Sequence, residues 1–376
     1  VRNTECEADR LANAGETDRK TTRAHGGNIY QAARQFGIDE GKIIDFSSNV
    51  NPLGPSSLAM RAAKRSLSVI GRYPDPEMTD LRRAIARYFG IKSEQIMCGN
   101  GSIDLIHLIP RVFRPKNVLV LAPTFPEYAF AAVNAGSNVV TLSLKERDGF
   151  RVDPVEMAFA LKGVDLAFLC NPNNPTGQLI PKAEMLEIAR YALQLGVRLV
   201  VDEAFMDFIG SESIVKEAVQ TSNVICLRTF TKFFGMPGLR IGYAVSDEAT
   251  IAALRDGQEP WTVSIPAEQA AMAALNDWGH SKKTLRLTEK ERDRLIAALR
   301  LLPGVETFAG GAANFILIKC ISADTYALRH KLGSRGMLVR DCSSFPGLDD
   351  RYIRISVRKR RENNRLIKAL RELLIS

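Results

Sequence analysis

No apolar run in the chain approaches the roughly 20 residues that a membrane-crossing helix needs. The longest, such as VLVLA (Val118 to Ala122) and LAFLC (Leu166 to Cys170), are strand-sized. A soluble protein without a membrane partner is expected. The first 24 residues, VRNTECEADRLANAGETDRKTTRA, lack the apolar core of a secretory signal, so 1–24 reads as a poorly ordered or loosely docked arm and the location as cytoplasmic. No CxxC pair occurs among the six cysteines, Cys6, Cys98, Cys170, Cys226, Cys320 and Cys342. Scattered and mostly in or beside apolar strands, they read as reduced core thiols, and no metal is expected.

Also missing is any basic stripe interleaved with aromatic residues. The formal net charge is +9, but the cations are spread along the chain apart from RKRRENNR (Arg358 to Arg365). That run reads as the solvated start of a helix, and nucleic acid is not an expected partner. Internal repeats and low-complexity linkers are absent too. What remains is an ordinary globular composition over 376 residues, enough for a large core and about two domains.

From about Lys116 to Ser246, NVLVLAP, SNVVTLSL, VDLAFLC, VRLVVDEAF, NVICLRTF and RIGYAVS alternate with helical stretches such as PKAEMLEIARYALQLG. Such alternation predicts an α/β fold with a mostly parallel, helix-covered sheet and its chemistry in the loops after the strands. Beyond Pro266 a helical region runs to about Leu302, interrupted near Asp277 to His280. NFILIKC, GMLVRDC and YIRISVR then read as strands before a last helix, which predicts a smaller α+β domain. The expected division is 25–72 contributing to the small domain, 73–266 as the large domain and 267–376 as the rest of the small domain.

Four segments carry candidate chemistry. In TFTKFFGMPGLRIGY, Lys232 follows a strand, and Thr229, Thr231 and Arg240 supply donors suited to a phosphate. An amine beside a phosphate cradle suggests a Schiff base to a phosphorylated aldehyde. GNGS, with Gly101 and Ser102, opens a helix and is either a plain turn with a cap or a phosphate site. Asp202 in VVDEAF either caps the next element or pairs with a protonated ring nitrogen. In CNPNNPTG, Asn171 can donate to a phenolate oxygen, and the prolines fix the turn.

Together these motifs resemble the fold-type I pyridoxal-phosphate enzymes, the aspartate aminotransferase superfamily, over essentially the whole chain from about His25. The resemblance implies that superfamily's large domain and smaller α+β domain, with pyridoxal 5′-phosphate as cofactor. By resemblance Lys232 forms the Schiff base, and Gly101, Ser102, Thr229, Thr231 and Arg240 hold the cofactor phosphate. Asp202 then pairs with the ring nitrogen, and Asn171 meets the ring hydroxyl. Phe125 matches the aromatic stacked on the ring, although it could equally be core. Tyr73 matches a tyrosine that reaches the phosphate of a neighbouring subunit, which implies a homodimer with shared active sites. Phe205 departs from the pattern, standing where many relatives carry a tyrosine.

Arg354 matches the arginine that clamps a substrate carboxylate. HGGN (His25 to Asn28), DFSSNVNPLGP (Asp45 to Pro55) and RDCSSFPGLDDRYIRISVR (Arg340 to Arg358) resemble the threonine-phosphate decarboxylase family of cobalamin biosynthesis. The histidinol-phosphate aminotransferases share NPLGP and the lysine motif but usually lack HGGN. A small phosphorylated amino acid is therefore the expected substrate, with His25, Asn49, Asn171, Arg340 and Arg354 as its candidate ligands.

Overall fold

The computed structural model describes residues 26–308, 311–321 and 323–375. Its largest sheet uses seven strands: β2 (Ile96–Gly99), β3 (Asn117–Ala122), β4 (Asn138–Ser143), β5 (Leu166–Cys170), β6 (Arg198–Asp202), β7 (Val224–Thr229) and β8 (Gly242–Val245). They lie in the order β2-β8-β7-β6-β5-β3-β4. β8 runs antiparallel to both of its neighbours, and the other pairings are parallel.

Alternation along these strands builds two cores, as a sheet covered on both faces requires. Leu119, Leu121, Leu169 and Val201 point into one, shared with the helices Thr79–Phe89, Lys182–Gln194 and Ile265–Leu275. Val118, Val120, Phe168 and Val200 point into the other, shared with Ser102–Phe113, Glu127–Asn134 and Glu248–Asp256.

A second, antiparallel sheet has the order β12-β13-β10-β9, formed by β9 (Val305–Thr307), β10 (Phe315–Cys320), β12 (Arg340–Asp341) and β13 (Tyr352–Ser356). Beside it, β1 (Ile44–Asp45) pairs in parallel with β11 (Met337–Leu338). The segment GMLVRDC is therefore not one strand: its first part joins β1 and its second joins β13.

The domain division also differs from the sequence reading. Ile44 and Phe46 belong to the small-sheet core, but Ala59, on the helix Ser57–Ser66, packs in the large-sheet core with Ala267, Ala270 and Ala274. Two alanine-rich faces let these helices pack closely. Both therefore go with the seven-stranded sheet, and the passage to the smaller core falls at Asp277, which caps the helix Trp278–Leu299.

Candidate active site

Four of the five parallel strands of the large sheet, β3, β5, β6 and β7, deliver a side chain from their C-terminal ends to one cavity. The strand order reverses between β3 and β5, and a crevice is expected there. A cavity of about 440 Å³ occupies it, lined by Phe125 after β3, Cys170 at the end of β5, Asp202 at the end of β6 and Thr229, Thr231 and Lys232 around the end of β7. Ser102 and Arg240 line one end; Asn49, Arg340 and Arg354 come from the small-sheet side.

Gly101, which precedes the helix Ser102–Phe113, has φ +79. A Cβ there would stand 2.8 Å from Arg240 Nη2, so the missing side chain is what lets the guanidinium lie against the helix start. Arg240 is itself left-handed at φ 54, and its Nη1 donates to the Pro237 carbonyl at 2.9 Å. With the Thr229 and Thr231 hydroxyls, 3.0 Å apart, a free helix N-terminus and an arginine converge on one spot. That donor set fits a phosphate.

Lys232 is half-buried, its open side facing the cavity. Burial, then the cations Arg354 and Arg240, push its ammonium down to about 8. Its Nζ sits 5.8 Å from the centroid of the Phe205 ring, which has no hydroxyl to offer. Asp202 is buried, and burial raises its carboxyl above the usual range. The Tyr128 hydroxyl donates to its Oδ2 at 2.7 Å and the Ala204 N–H to its Oδ1 at 3.0 Å. Both bonds favour the charged form and oppose that rise.

Behind the site lies a buried ion cluster. Arg228 donates to Glu203 Oε2 at 2.7 Å and to Asp207, while the Ser213 hydroxyl and the Ile214 N–H also donate to Glu203. This ties the chain after Asp202 to β7, the strand that leads to Lys232.

The opposite wall carries two arginines placed face to face. Arg340 and Arg354 are direct cross-strand partners, and both are buried. Like charges in that register repel, and burial lowers both guanidiniums, Arg354 to about 10. Arg354 is fixed by donating to Asn174 and, at 2.7 Å, to the Ser47 carbonyl. Arg340 donates to Ser344 at 2.8 Å. An anion between them is the arrangement's natural complement.

One expected residue is displaced. Both polar groups of the Asn171 side chain bond the Ile180 backbone, at 3.0 and 2.8 Å, and the residue does not line the cavity. Asn174, three residues later in the same motif, does line it. Its Oδ1 holds Arg354. Tyr73 is also outside the cavity lining: it is 79% exposed and packs on Trp261 with ring centroids 4.7 Å apart. His25 lies outside the described residues, but Gly26 beside it lines the cavity. Tyr128 is a site residue that no motif marks; the one hint in the sequence is a phenol one helical turn after Phe125, which when buried must find an acceptor, here Asp202.

Residues 41–370 match the family Aminotransferase class I and II. The chain belongs to that family. This aminotransferase-family chain is 37% identical to the threonine-phosphate decarboxylase of Salmonella typhimurium, over 93% of its own length and 96% of that protein's. It is 38% identical to a histidinol-phosphate aminotransferase of Roseiflexus castenholzii, covering 91% and 92% of the two chains. Its fold is similar to the crystal structure of histidinol-phosphate aminotransferase from Sinorhizobium meliloti in complex with pyridoxal-5′-phosphate, with a TM-score of 0.83, 26% identity and coverage of 94% and 96%.

The family works with pyridoxal 5′-phosphate, and the residues present suit it: an amine with a lowered pKa, a phosphate-shaped donor set, a buried carboxylate and an aromatic wall. Among the described residues, no helix is long and apolar enough to cross a membrane.

Proposed function

We propose that the chain decarboxylates L-threonine O-3-phosphate to (R)-1-amino-2-propanol O-phosphate and CO2, a step of cobalamin biosynthesis. The observation that carries this reading is the position of Gly26 from the HGGN segment, which lines the cavity with Ser47, Asn49, Arg340 and Arg354. By resemblance, the histidinol-phosphate aminotransferases usually lack HGGN, and here Gly26 of that segment forms part of the wall around the arginine pair.

Bound pyridoxal phosphate supplies an electron sink for whichever bond at the substrate Cα is broken. The chain chooses the bond by orienting the substrate. Arg354 and Arg340, with Asn49 and His25, take the substrate phosphate where an aminotransferase would hold a carboxylate. With the phosphate held there, the substrate carboxylate would be the group left unclamped by the arginines, and the Cα–carboxyl bond the one to break, releasing CO2. The electron pair at Cα takes a proton from Lys232 or from water. Lys232, its ammonium lowered to about 8 by burial and the nearby arginines, would hold the cofactor through its amine and can give or take a proton at Nζ. Asp202 would hold the positive ring nitrogen, Asn174 the ring oxygen, and Gly101, Ser102, Thr229, Thr231 and Arg240 the cofactor phosphate.

The exposed Tyr73 supports a homodimer in which that tyrosine serves the neighbouring copy's site. Mixing inactive Tyr73→Phe and Lys232→Ala chains should then restore part of the activity; an inactive mixture would argue against shared sites.

A second reading, transamination of histidinol phosphate, is favoured by the 38% identity to an enzyme of that name. One assay separates the two. Purified holoenzyme is given L-threonine O-3-phosphate without keto acid, and CO2 and amine are followed together. Stoichiometric CO2 and amino-alcohol phosphate support the decarboxylase; turnover only of histidinol phosphate with 2-oxoglutarate makes it a transaminase.

A further inference from the structure

The main chain that carries Lys232 is held from outside its own strand. Asn51, in the turn NVNPLGP, is 2% exposed, and its groups bond three other parts of the chain. Its N–H donates to the Lys232 carbonyl at 3.0 Å. Its side-chain amide donates to the next carbonyl, Phe233, at 2.7 Å and to the Thr284 hydroxyl at 2.9 Å, while its Oδ1 accepts from the Leu53 N–H at 2.9 Å. The turn is also pressed against the lysine loop, since a Cβ on Gly235 would lie 2.5 Å from the Gly54 carbonyl carbon. His280 bonds the Gly54 carbonyl from the far side at 3.0 Å. Thr284 and His280 both belong to the helix Trp278–Leu299.

The same short stretch reaches the arginine wall. Two residues before Asn51, Asn49 accepts from the Ser356 hydroxyl at 2.8 Å. Two further back, the Ser47 carbonyl accepts from Arg354. Residues 47 to 51 therefore touch Arg354 at one end and the Lys232 main chain at the other.

We infer that Asn51 is a positioning residue: it sets the distance of Lys232 from the Arg340–Arg354 pair and ties that spacing to the helix Trp278–Leu299. Asn51 does not line the cavity. Its effect passes through two consecutive carbonyls of the lysine loop. Losing the amide leaves the Phe233 carbonyl and the Thr284 hydroxyl buried without that donor, and the loop relaxes toward the cavity. Lys232 then moves relative to Arg354, the larger of the two cationic influences on its amine. The inference rests on Lys232 as the cofactor lysine and holds for decarboxylation and transamination alike.

The test uses holoenzyme and the pH midpoint of the cofactor's visible band near ~420 nm, with kcat and KM measured beside it. Asn51→Ala should move the midpoint by at least about half a pH unit and lower kcat more than it raises KM. Asn51→Asp, of the same shape but with the donor replaced by an acceptor, should move it likewise and serves if the alanine variant does not fold. Thr284→Val, which removes only the helix anchor, should give a smaller shift in the same direction. Leu295→Ala, a core change on the same helix, should lower stability without moving the midpoint. Unmoved midpoints in Asn51→Asp and Thr284→Val, or a shift in Leu295→Ala equal to theirs, would overturn the inference. Persistence of the band in Lys232→Ala would instead overturn the assignment of the lysine.

Discussion

Replacing Lys232 by methionine should stabilise the cofactor-free protein at neutral pH. Its ammonium is pushed from 10.5 to about 8, first by burial and then by Arg354 and Arg240. That shift corresponds to about 3 kcal/mol against the charged form, and water in the cavity, which screens the exposed part of the side chain, reduces it to on the order of 2 kcal/mol. The folded pKa lies below the unfolded one, so between about 8 and 10.5 the unfolded chain holds a proton that the folded chain has lost. Stability contributed by this residue therefore rises with pH across that window, and the penalty is complete below it. Urea denaturation of apoenzyme should show Lys232→Met more stable than the parent by roughly 2 kcal/mol at pH 7, with the difference shrinking steadily from pH 8 toward 10. A variant no more stable at pH 7, or a difference flat across pH, would refute the reasoning. The same shift leaves about a quarter of the amine neutral at pH 7.5, where an ordinary lysine has roughly one part in a thousand.

Arg228→Met should cost about 3–5 kcal/mol by denaturation, because Glu203 and Asp207 keep their buried carboxylates and lose their common cation. Tyr128→Phe removes a donor from Asp202, whose carboxyl then rises further; equilibrium dialysis should find cofactor affinity weakened by about tenfold, for a charged-acceptor bond worth roughly 1.5 kcal/mol. Asn174→Ala should alter the visible spectrum of the loaded enzyme and lower kcat/KM. Asn171→Ala should instead lower the melting temperature and leave the spectrum nearly unchanged, since its amide serves the Ile180 backbone.

The strands from β3 to β8 were legible because each is a compact apolar run bounded by turn residues, and the lysine loop because its donors are closely spaced. Less was visible where partners are distant. β2 has four residues, and its hydrogen-bonded neighbour β8 lies more than a hundred positions downstream. GMLVRDC looks like one strand, and only the competing partners β1 and β13 reveal the break. NPNNPTG offers three asparagines; which one faces the cavity is decided by the path of a proline-rich turn, not by residue type. The helix Ser57–Ser66 went to the wrong core because chain order places it beside β1, whereas the alanines of Ile265–Leu275 decide where it packs.

Two arginines held opposite each other on neighbouring strands also govern how the protein should be handled. If the pair takes the substrate phosphate as proposed, inorganic phosphate and sulfate should compete with substrate and protect the empty enzyme against heat, which thermal melts with and without each anion would check. Rates taken in phosphate would understate affinity, and a zwitterionic buffer with a monovalent salt is the medium in which substrates can be ranked.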